Sequence, residues 1–239
     1  MSLSEGFQPL YKQVYTLLTK RLVDHYWKPS EPLPSEMALA EELGVSQGTV
    51  RKALNQMVSE NLLERRQGKG TYVAEHTSER SLTRFWRLQT PGGQSSFPET
   101  RILNSRRRKA EPNECTALNL DTEAIVVELT RLRFMNEAPV VLEKVIQPLS
   151  VFPDIDKVAN LPNALYSLYQ EKYGISIISV HDELRAVTIS AEYSAHLDLD
   201  EGAPVLMIER TSINIDGRAV EWSQAYCRTD QFVYGVNLR

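Results

Sequence analysis

Arg131 and Arg133 are the residues of this 239-residue chain whose types and spacing point most directly to chemistry. They lie two positions apart in a predicted β-strand, Ala124–Met135, so their side chains fall on the same face of a sheet. A guanidinium on the buried face of a sheet needs an anion, because an unpaired buried charge is costly. The pair therefore predicts an anion beside it, either a ligand or a carboxylate of the chain.

The chain also holds a second partner for this pair. Val140–Gln147 is the next predicted strand, joined through Asn136-Glu137, and a three-residue loop would place Glu143 opposite Arg131. A cross-strand ion pair would then satisfy Arg131 without a ligand, for about 0.2–1 kcal/mol. The sequence leaves both interpretations open.

Catalytic and metal sites are not indicated. Cys115 and Cys227 lie far apart and the four histidines are scattered, which gives neither a disulfide framework nor the spacing of metal ligands. No nucleophile–base pair and no glycine-rich phosphate loop stands out. We therefore expect no enzymatic activity, no catalytic residue, no cofactor and no metal.

Charge is unevenly distributed along the chain. The formal net charge is −4, yet residues 46–73 carry a net charge of +3. A local basic surplus of this kind fits a small nucleic-acid-contacting face attached to an acidic partner domain. The chain starts without a secretory signal and has no apolar run long enough to cross a bilayer, so we expect a cytoplasmic protein that does not contact membranes.

The first third of the chain predicts three helices and a hairpin. An apolar stripe marks a helix over residues 10–22, and Ser35 and Ser46 are suited to cap the second and third helices. The tight turn at Leu43–Val45 between those two gives helix-turn-helix spacing. The strand–turn–strand pattern over residues 62–73 predicts a wing.

The remainder predicts a second domain with internal symmetry. Residues 75–82 are polar and aperiodic, so we interpret them as a linker between domains at 1–74 and 83–239. Within the second domain, Leu118-Asn119-Leu120-Asp121 resembles Leu197-Asp198-Leu199-Asp200, and Arg131 matches Arg210 at the same offset. We therefore predict an α+β fold in which two helix-plus-hairpin halves form one antiparallel sheet.

The stretch from Leu33 to Val73 carries LPSE, a VS…TVR…AL run and GKGT, and it closely resembles the winged helix-turn-helix of the GntR family of transcription regulators. The resemblance implies that the third helix enters the major groove by its N-terminal end. We predict the following DNA-binding residues: Ser35, Glu36, Ser46, Gln47, Thr49, Arg51, Lys52, Gly68, Lys69 and Gly70.

Each of these side chains has a physical role to offer. Gln47 can pair with an adenine edge, and Arg51 can reach a guanine or a phosphate. Ser46 and Thr49 can donate to phosphate, and Lys69 can reach the minor groove or the backbone once the two wing glycines allow a tight turn. Lys52 has a solvated helix face as its alternative. The family often has arginine at the positions of Met37 and Gln47, which leaves the operator sequence open.

The C-terminal region resembles the UTRA sensor domain of the HutC subfamily in its LNLDTEAIVVELTRLRFMNEAPVVLEK, ALYSLYQEKYGI and LDLDEGAPVLMIERTSINIDGRAVEWSQAYCRTDQF stretches. The resemblance implies a chorismate-lyase-like fold, a homodimer and an acidic effector such as a sugar phosphate or a carboxylic acid. The two resemblances together predict a transcription regulator that binds a double-stranded DNA operator. Of the two signs of regulation, we predict repression. The alternatives are a ligand-binding module whose winged helix contacts proteins, and a lyase-like enzyme.

The same resemblance assigns effector-binding residues. The predicted set is Arg131, Arg133, Glu143, Ser167, Tyr169, Glu221 and Arg228. Ser167 and Tyr169 match positions that help the arginines to hold the acid group, and the two glutamates match positions that accept hydrogen bonds from the rest of the ligand. Arg228 is followed by Asp230 in an Arg-x-Asp motif, for which we favour a structural ion pair. Ser95 and Ser96 match a loop over the pocket.

One basic run remains outside both sites. We interpret Arg106–Lys109 as a solvated strand edge or loop, with a secondary DNA contact as the alternative.

Overall fold

The first unit of the chain, Met1–His76, consists of three helices followed by a hairpin. Its elements are α1 (Leu10–Val23), α2 (Glu36–Leu43), α3 (Gln47–Ser59), β1 (Leu63–Arg66) and β2 (Gly70–Val73). The computed structural model describes residues 8–92 and 97–236. Buried apolar side chains from all three helices form the core, among them Val14, Leu18, Leu39, Leu54 and Met57.

Capping residues set the ends of α2 and α3. The Ser35 hydroxyl accepts a hydrogen bond from the backbone N–H of Ala38 at 3.1 Å, and the Ser46 hydroxyl accepts one from Thr49 at 3.2 Å. Gly44 ends α2 with a φ of +65°, a left-handed conformation that glycine adopts without steric cost. The predicted helix-turn-helix is therefore confirmed, with its third helix beginning one residue after Ser46.

The wing is a tight antiparallel hairpin. The β1 and β2 strands pair from Leu63 opposite Val73 to Arg66 opposite Gly70. Gly68 and Gly70 have φ values of +69° and +115°, which side-chain-bearing residues rarely adopt, so the turn requires glycine at these positions.

The second unit, Thr77–Arg239, is an α+β arrangement around one large sheet. Its helices are α4 (Ser78–Phe85), α5 (Pro112–Leu118), α6 (Leu165–Tyr173) and α7 (Ala191–Ser194), with short 3-10 turns at Ile155–Lys157 and Ala195–Leu197. Its strands are β3 (Leu88–Gln89), β4 (Glu99–Lys109), β5 (Ile125–Met135), β6 (Ala138–Pro148), β7 (Ile177–Thr188), β8 (Pro204–Asn214), β9 (Ala219–Arg228) and β10 (Val233–Tyr234).

The sheet confirms the predicted repeat. Its six antiparallel strands run in the order β4-β5-β6-β9-β8-β7, while β3 pairs with β10 in a separate ribbon. One half is strand–helix–hairpin from β4 to β6, the other is the same from β7 to β9, and the halves meet where β6 pairs with β9. Arg131 on β5 and Arg210 on β8 are thereby brought to corresponding places in the two halves.

Both faces of the sheet are covered at its central strands. Alternate residues of β5 separate the two sides: Val127 and Leu129 pack with residues of α4 and α6, while Val126 packs with Leu118 of α5. Leu132, on the latter side, packs with Leu197 after α7. Strand β5 is therefore buried along most of its length, as strands covered on both faces are.

The interpretation of residues 75–82 as an irregular linker is corrected by α4. The Thr77 hydroxyl accepts a hydrogen bond from the Arg80 N–H at 3.2 Å and so caps a helix that runs through Phe85. Ser81, Leu82 and Phe85 are buried in the second unit. Burial of these side chains orders the segment as a helix. The sequence did not predict this helix because the residues of its first turn are polar.

Candidate functional site

The predicted arginine pair and Glu143 form one buried cluster. A two-residue turn at Asn136-Glu137, followed by a bulge, places Arg131 opposite Glu143. Arg131 Nη2 lies 2.6 Å from Glu143 Oε2, and Arg133 Nε lies 3.1 Å from the same oxygen. The ion pair that was the alternative to a ligand is therefore present, although the turn has two residues rather than three.

This ion pair does not satisfy Arg131. Its Nε and Nη1 groups are buried and have no hydrogen-bond partner among the described residues. A buried donor without a partner costs free energy comparable to a lost hydrogen bond. Arg131 thus has both an internal counterion and donors that remain open to a further acceptor.

Burial and mutual charge shift the pKa values in this cluster. Burial raises the pKa of Glu143, but the charges of Arg131 and Arg133 outweigh it and lower that pKa to about 2. Burial lowers the pKa of Arg133 to about 10, which Glu143 offsets only in part. Burial also disfavours the charge on Arg131, yet the nearby carboxylates leave its pKa raised. Glu143 thus favours the charged form of both buried arginines, and Glu221 adds to this effect at Arg131.

The other half of the sheet contributes a second arginine–carboxylate group. Arg210 donates from Nε and Nη2 to the two carboxylate oxygens of Asp182, each at 2.7 Å, and the Tyr234 hydroxyl donates to Asp182 at 2.7 Å. Arg210 is thus held in a bidentate pair, in contrast to Arg131. Nearby, Glu221 accepts hydrogen bonds from the hydroxyls of Tyr169 and Ser212, and burial raises its pKa.

Of these groups, the three arginines and the two glutamates line a cavity of about 80 Å³. A cavity needs a volume of roughly 10–15 Å³ to hold one water, so this cavity has room for several water-sized groups. Its charged and polar lining residues are Ser81, Arg87, Arg131, Arg133, Glu143, Arg210, Glu221 and Ser223. Its apolar and aromatic lining includes Leu82, Phe85, Trp86, Val141, Tyr166, Ile208 and Cys227.

Helix α4 and the residues after it supply further open donors. The hydroxyl of Ser81 and the indole N–H of Trp86 are buried and have no hydrogen-bond partner among the described residues. The guanidinium of Arg133 lies over the Trp86 ring, 5.2 Å from its centroid. Together with Arg131, three lining residues thus present unsatisfied N–H or O–H groups, an arrangement suited to a ligand rich in acceptor oxygens.

The first unit presents the N-terminal end of α3 to solvent. Ser46, Gln47 and Arg51 are exposed and Thr49 is half-buried, with the Ser46 and Thr49 hydroxyls 2.9 Å apart. Backbone N–H groups at a helix N-terminus attract phosphate. Arg51 is on the same exposed end, so this surface combines a phosphate site with side chains that can read a base edge.

Both units match families of known proteins. Residues 10–73 match the gntR family of bacterial regulatory proteins, and residues 93–233, more than half of the chain, match the UTRA domain. The chain belongs to the GntR family and carries a UTRA domain. This is the HutC-type architecture, so the chain is a DNA-binding transcription regulator with a small-molecule-sensing domain, and not an enzyme.

Relatives and solved structures agree with this assignment over nearly the whole chain. The chain is 28% identical to the transcriptional repressor NagR of Bacillus subtilis, over 95% of the chain and 93% of NagR. It is 29% identical to MngR of Escherichia coli, the mannosyl-D-glycerate transport/metabolism system repressor, over 96% of the chain and 95% of MngR. In fold it resembles PhnF of Mycobacterium smegmatis with a TM-score of 0.57 and 22% identity, over 95% of the chain and 99% of PhnF.

The UTRA pocket contains four of the predicted effector residues: Arg131, Arg133, Glu143 and Glu221. Tyr169 is fully buried behind it, where it donates to Glu221 and accepts from Gln147 at 2.5 Å. Ser167 donates to the carbonyl of Ala164 at 2.8 Å and does not line the cavity. Any role of these two side chains toward a ligand is indirect in this arrangement.

Arg228 does not line this cavity, and its role toward an effector stays a prediction. Its guanidinium pairs with Asp230 at 2.6 Å and donates to the carbonyl of Leu197 at 3.1 Å. The structural ion pair that the Arg-x-Asp motif favoured is therefore confirmed. Ser95 and Ser96 lie outside the described residues.

Sequence reasoning missed several residues of the cavity. Arg87, Ser81 and Trp86 belong to the segment interpreted as a linker and to the stretch that follows it. Arg210 had a usable signal, since the internal repeat matched it with Arg131. The repeat could have predicted that both arginines converge on one site.

The basic run on β4 is neutralised by acidic neighbours. Arg106 and Arg108 pair with Glu128 at 2.9 and 2.7 Å, and Arg108 also pairs with Glu114. Arg107 pairs with Asp156 at 2.7 Å, and Lys109 pairs with Glu123. These contacts explain the run as strand-edge ion pairs and leave no charge surplus for a secondary DNA contact.

Two lysines of the first unit differ in their surroundings. Lys52 Nζ lies over the ring of Tyr11, 4.0 Å from its centroid, which gives this side chain a contact within its own unit. Lys69 is exposed at the tip of the wing.

In the described ranges, no helix has the length and apolar character needed to cross a membrane.

Proposed function

We propose that the chain is a repressor that binds its operator as a homodimer, and that a small acidic metabolite in the UTRA cavity controls this binding. The observation that carries the proposal is Arg131, whose buried Nε and Nη1 lack partners among the described residues while it faces the cavity. An anionic group would satisfy these donors, as Arg is suited to do.

The charge of the cavity supports an anion. Arg87, Arg131, Arg133 and Arg210 line it, against Glu143 and Glu221, with Asp182 paired behind Arg210. The net charge is +1 with all three carboxylates ionised, and burial raises the pKa of Glu221, which favours its neutral form. A sugar phosphate or a carboxylic acid meets this requirement, and each carries additional oxygens for Ser81 and Trp86.

Repression is supported by the names of relatives, since NagR and MngR are both repressors. The MngR name links it to mannosyl-D-glycerate, a sugar linked to a carboxylic acid, which is one of the ligand classes that the cavity favours. Each head of a homodimer would bind one half-site of a palindromic operator, on chromosomal DNA in the cytoplasm.

Helix α4 offers the physical connection between ligand and operator. It begins two residues after the first unit ends at His76, and its Ser81 and Leu82 line the cavity. A ligand that bonds to α4 would favour one arrangement of the chain preceding it and so shift the population of operator-competent dimers.

A thermal-shift screen of the full chain against sugar phosphates and carboxylic acids tests the ligand class. A ligand at 100 times its Kd stabilises the folded protein by about 2.7 kcal/mol, which raises the midpoint measurably. Arg131→Ala combined with Arg133→Ala should abolish the shift. The same variant should still bind a DNA duplex that the wild-type protein selects from a random-sequence library. No shift across such a library would favour arginines that serve the structure only.

DNA binding is tested with the complementary variant. Arg51→Ala should weaken binding to a duplex selected by the wild-type protein from a random-sequence library by about 5- to 150-fold, because a bidentate base contact contributes about 1–3 kcal/mol. The thermal shift with the acidic ligand should be unchanged. If Arg51→Ala removed both activities, the division of labour between the units would be wrong.

A further inference from the structure

Glu36 joins three elements of the first unit through one carboxylate. It is the first residue of α2, and its Oε2 accepts a hydrogen bond from Arg51 Nε on α3 at 2.8 Å. Its Oε1 accepts one from Arg65 Nη2 on β1 of the wing at 3.0 Å. Arg65 Nη2 also donates to Asn55 of α3 at 2.7 Å. The recognition helix and the wing are therefore tied to α2 at this point.

Exposure distinguishes Glu36 from the two arginines. Its side chain is 17% exposed, against 54% for Arg51 and 44% for Arg65, so the carboxylate lies beneath the guanidiniums. Burial raises the pKa of Glu36, but the hydrogen bonds from Arg51 and Arg65 outweigh it and leave the pKa lowered. Glu36 is thus a carboxylate at neutral pH, covered by the groups it holds.

The nitrogen through which Arg51 bonds to Glu36 determines which of its N–H groups can contact DNA. Its bond to Glu36 is made by Nε, which leaves the two Nη groups free to approach O6 and N7 of a guanine. An arginine held in one direction before binding loses less rotamer freedom when the complex forms. A carboxylate this close to the DNA face also repels phosphates, which weakens binding to any sequence.

We propose that Glu36 is a positioning residue for operator recognition, which aims Arg51 and Arg65 and does not itself touch DNA. This replaces its assignment as a direct DNA contact, and it rests on the proposed function in that α3 must read the operator. The consequence is that Glu36 raises the selectivity for the operator by preorganising the specific contact, whereas its charge lowers the affinity for all DNA sequences alike.

The experiment measures two duplexes, the one that the wild-type protein selects from a random-sequence library and a scrambled duplex of the same composition. Glu36→Gln should bind the selected duplex about tenfold more weakly and the scrambled duplex equally well or more tightly. Glu36→Asp keeps the charge but shortens the side chain, so it should weaken binding to the selected duplex without tightening the scrambled one.

Glu42→Gln is the matched control. Glu42 lies on the same helix, is 46% exposed and pairs with Arg21 at 2.5 Å, away from α3 and the wing. Its removal takes away the same charge and should leave the ratio of the two affinities unchanged. Thermal midpoints of all variants check that α2 remains folded.

Four results would overturn the proposal. Equal tightening on both duplexes by Glu36→Gln would mean that Glu36 acts by charge alone. Equal weakening on both, with a lower midpoint, would mean a structural role only. If Arg51→Ala left the affinity for the selected duplex unchanged, the assignment of α3 in the proposed function would fail. If Arg51→Ala weakened that affinity but Glu36→Gln left the ratio of the two affinities unchanged, only the positioning role of Glu36 would be wrong.

Discussion

Glu143 is the residue on which the charge balance of the cavity depends. It is the shared counterion of Arg131 and Arg133, at 2.6 and 3.1 Å, and all three side chains are at most 14% exposed. Removing one partner of a buried ion pair leaves an uncompensated charge, which is far more costly than the pair itself is stabilising. The cluster of two arginines and one carboxylate is therefore stable but electrostatically incomplete until an anion enters the cavity.

Glu143→Gln should lower the free energy of unfolding by about 3 kcal/mol, since an amide cannot neutralise either guanidinium. Urea denaturation of the full chain measures this. Millimolar inorganic phosphate should recover more stability in the variant than in the wild type, because it replaces the missing charge. Glu183→Gln, in an exposed pair with Arg185 at 3.1 Å, is the control and should change stability by less than about 1 kcal/mol. If Glu143→Gln left the free energy of unfolding unchanged, the cluster would have to be solvated.

The same residue predicts a pH dependence. Its folded-state pKa of about 2 lies below the ordinary value of 4.5, so folding favours the ionised form. The stabilisation is fully present above pH 4.5 and is lost as the pH falls toward 2. The difference in stability between wild type and Glu143→Gln should thus be constant near neutrality and shrink between about pH 4.5 and 2, as followed by urea titrations. A constant difference down to pH 2 would assign the effect to packing.

At the scale of elements, α4 combines two features that rarely coincide in a structural helix. It begins next to the end of the first unit, and it points a buried hydroxyl, that of Ser81, into the cavity with no partner among the described residues. Because an unsatisfied buried donor is destabilising, its retention is best explained by an acceptor that arrives with the ligand.

Ser81→Ala should therefore leave stability unchanged or raise it by about 1 kcal/mol, while it weakens binding of the acidic ligand several-fold. Calorimetry with the best ligand of the thermal screen measures the second effect. Ser194→Ala is a suitable control, since Ser194 is also buried but donates to the Ala191 carbonyl at 3.3 Å and does not line the cavity. It should lose stability without losing affinity. A Ser81→Ala variant of unchanged affinity would exclude a ligand contact from α4.

The elements also show which parts of the fold the sequence could predict. The cap at Ser46 and the turn at Gly44 were predicted correctly because their causes are local. Strand β4 was not predicted as a whole, since it is an edge strand exposed on most positions and its β structure comes from pairing with β5.

The candidate site was predictable to the same extent. Arg131 and Arg133 could be found because two residues on one strand share a face, and Glu143 because a hairpin fixes its neighbour. Arg210 was predictable from the internal repeat, whereas Arg87 comes from a segment distant in the sequence that reaches the cavity only in the folded domain. Helix α4 is too short for its apolar positions to show a period, so its contribution was hidden as well.

At the scale of the whole molecule, DNA affinity must arise from a small part of the surface. The chain carries a net charge of −4, and the arginine-rich β4 strand is neutralised by its acidic partners. In the described part of the chain, the basic surplus of residues 46–73 is therefore the source of phosphate attraction that we assign to the molecule. Its salt dependence can then report how many heads engage one operator.

Lys69→Ala at the wing tip provides that count. Each phosphate contact contributes about 0.9 to the slope of log K against log salt concentration. A homodimer that places both wings on DNA should lose about 1.8 from the slope, and a single bound head about 0.9, as measured on the selected duplex between roughly 50 and 200 mM salt. Lys172→Ala, an exposed lysine on α6 of the second unit, should leave the slope unchanged. A slope unaffected by Lys69→Ala would remove the wing tip from the phosphate contacts, whereas a change near 0.9 would contradict simultaneous binding by two heads.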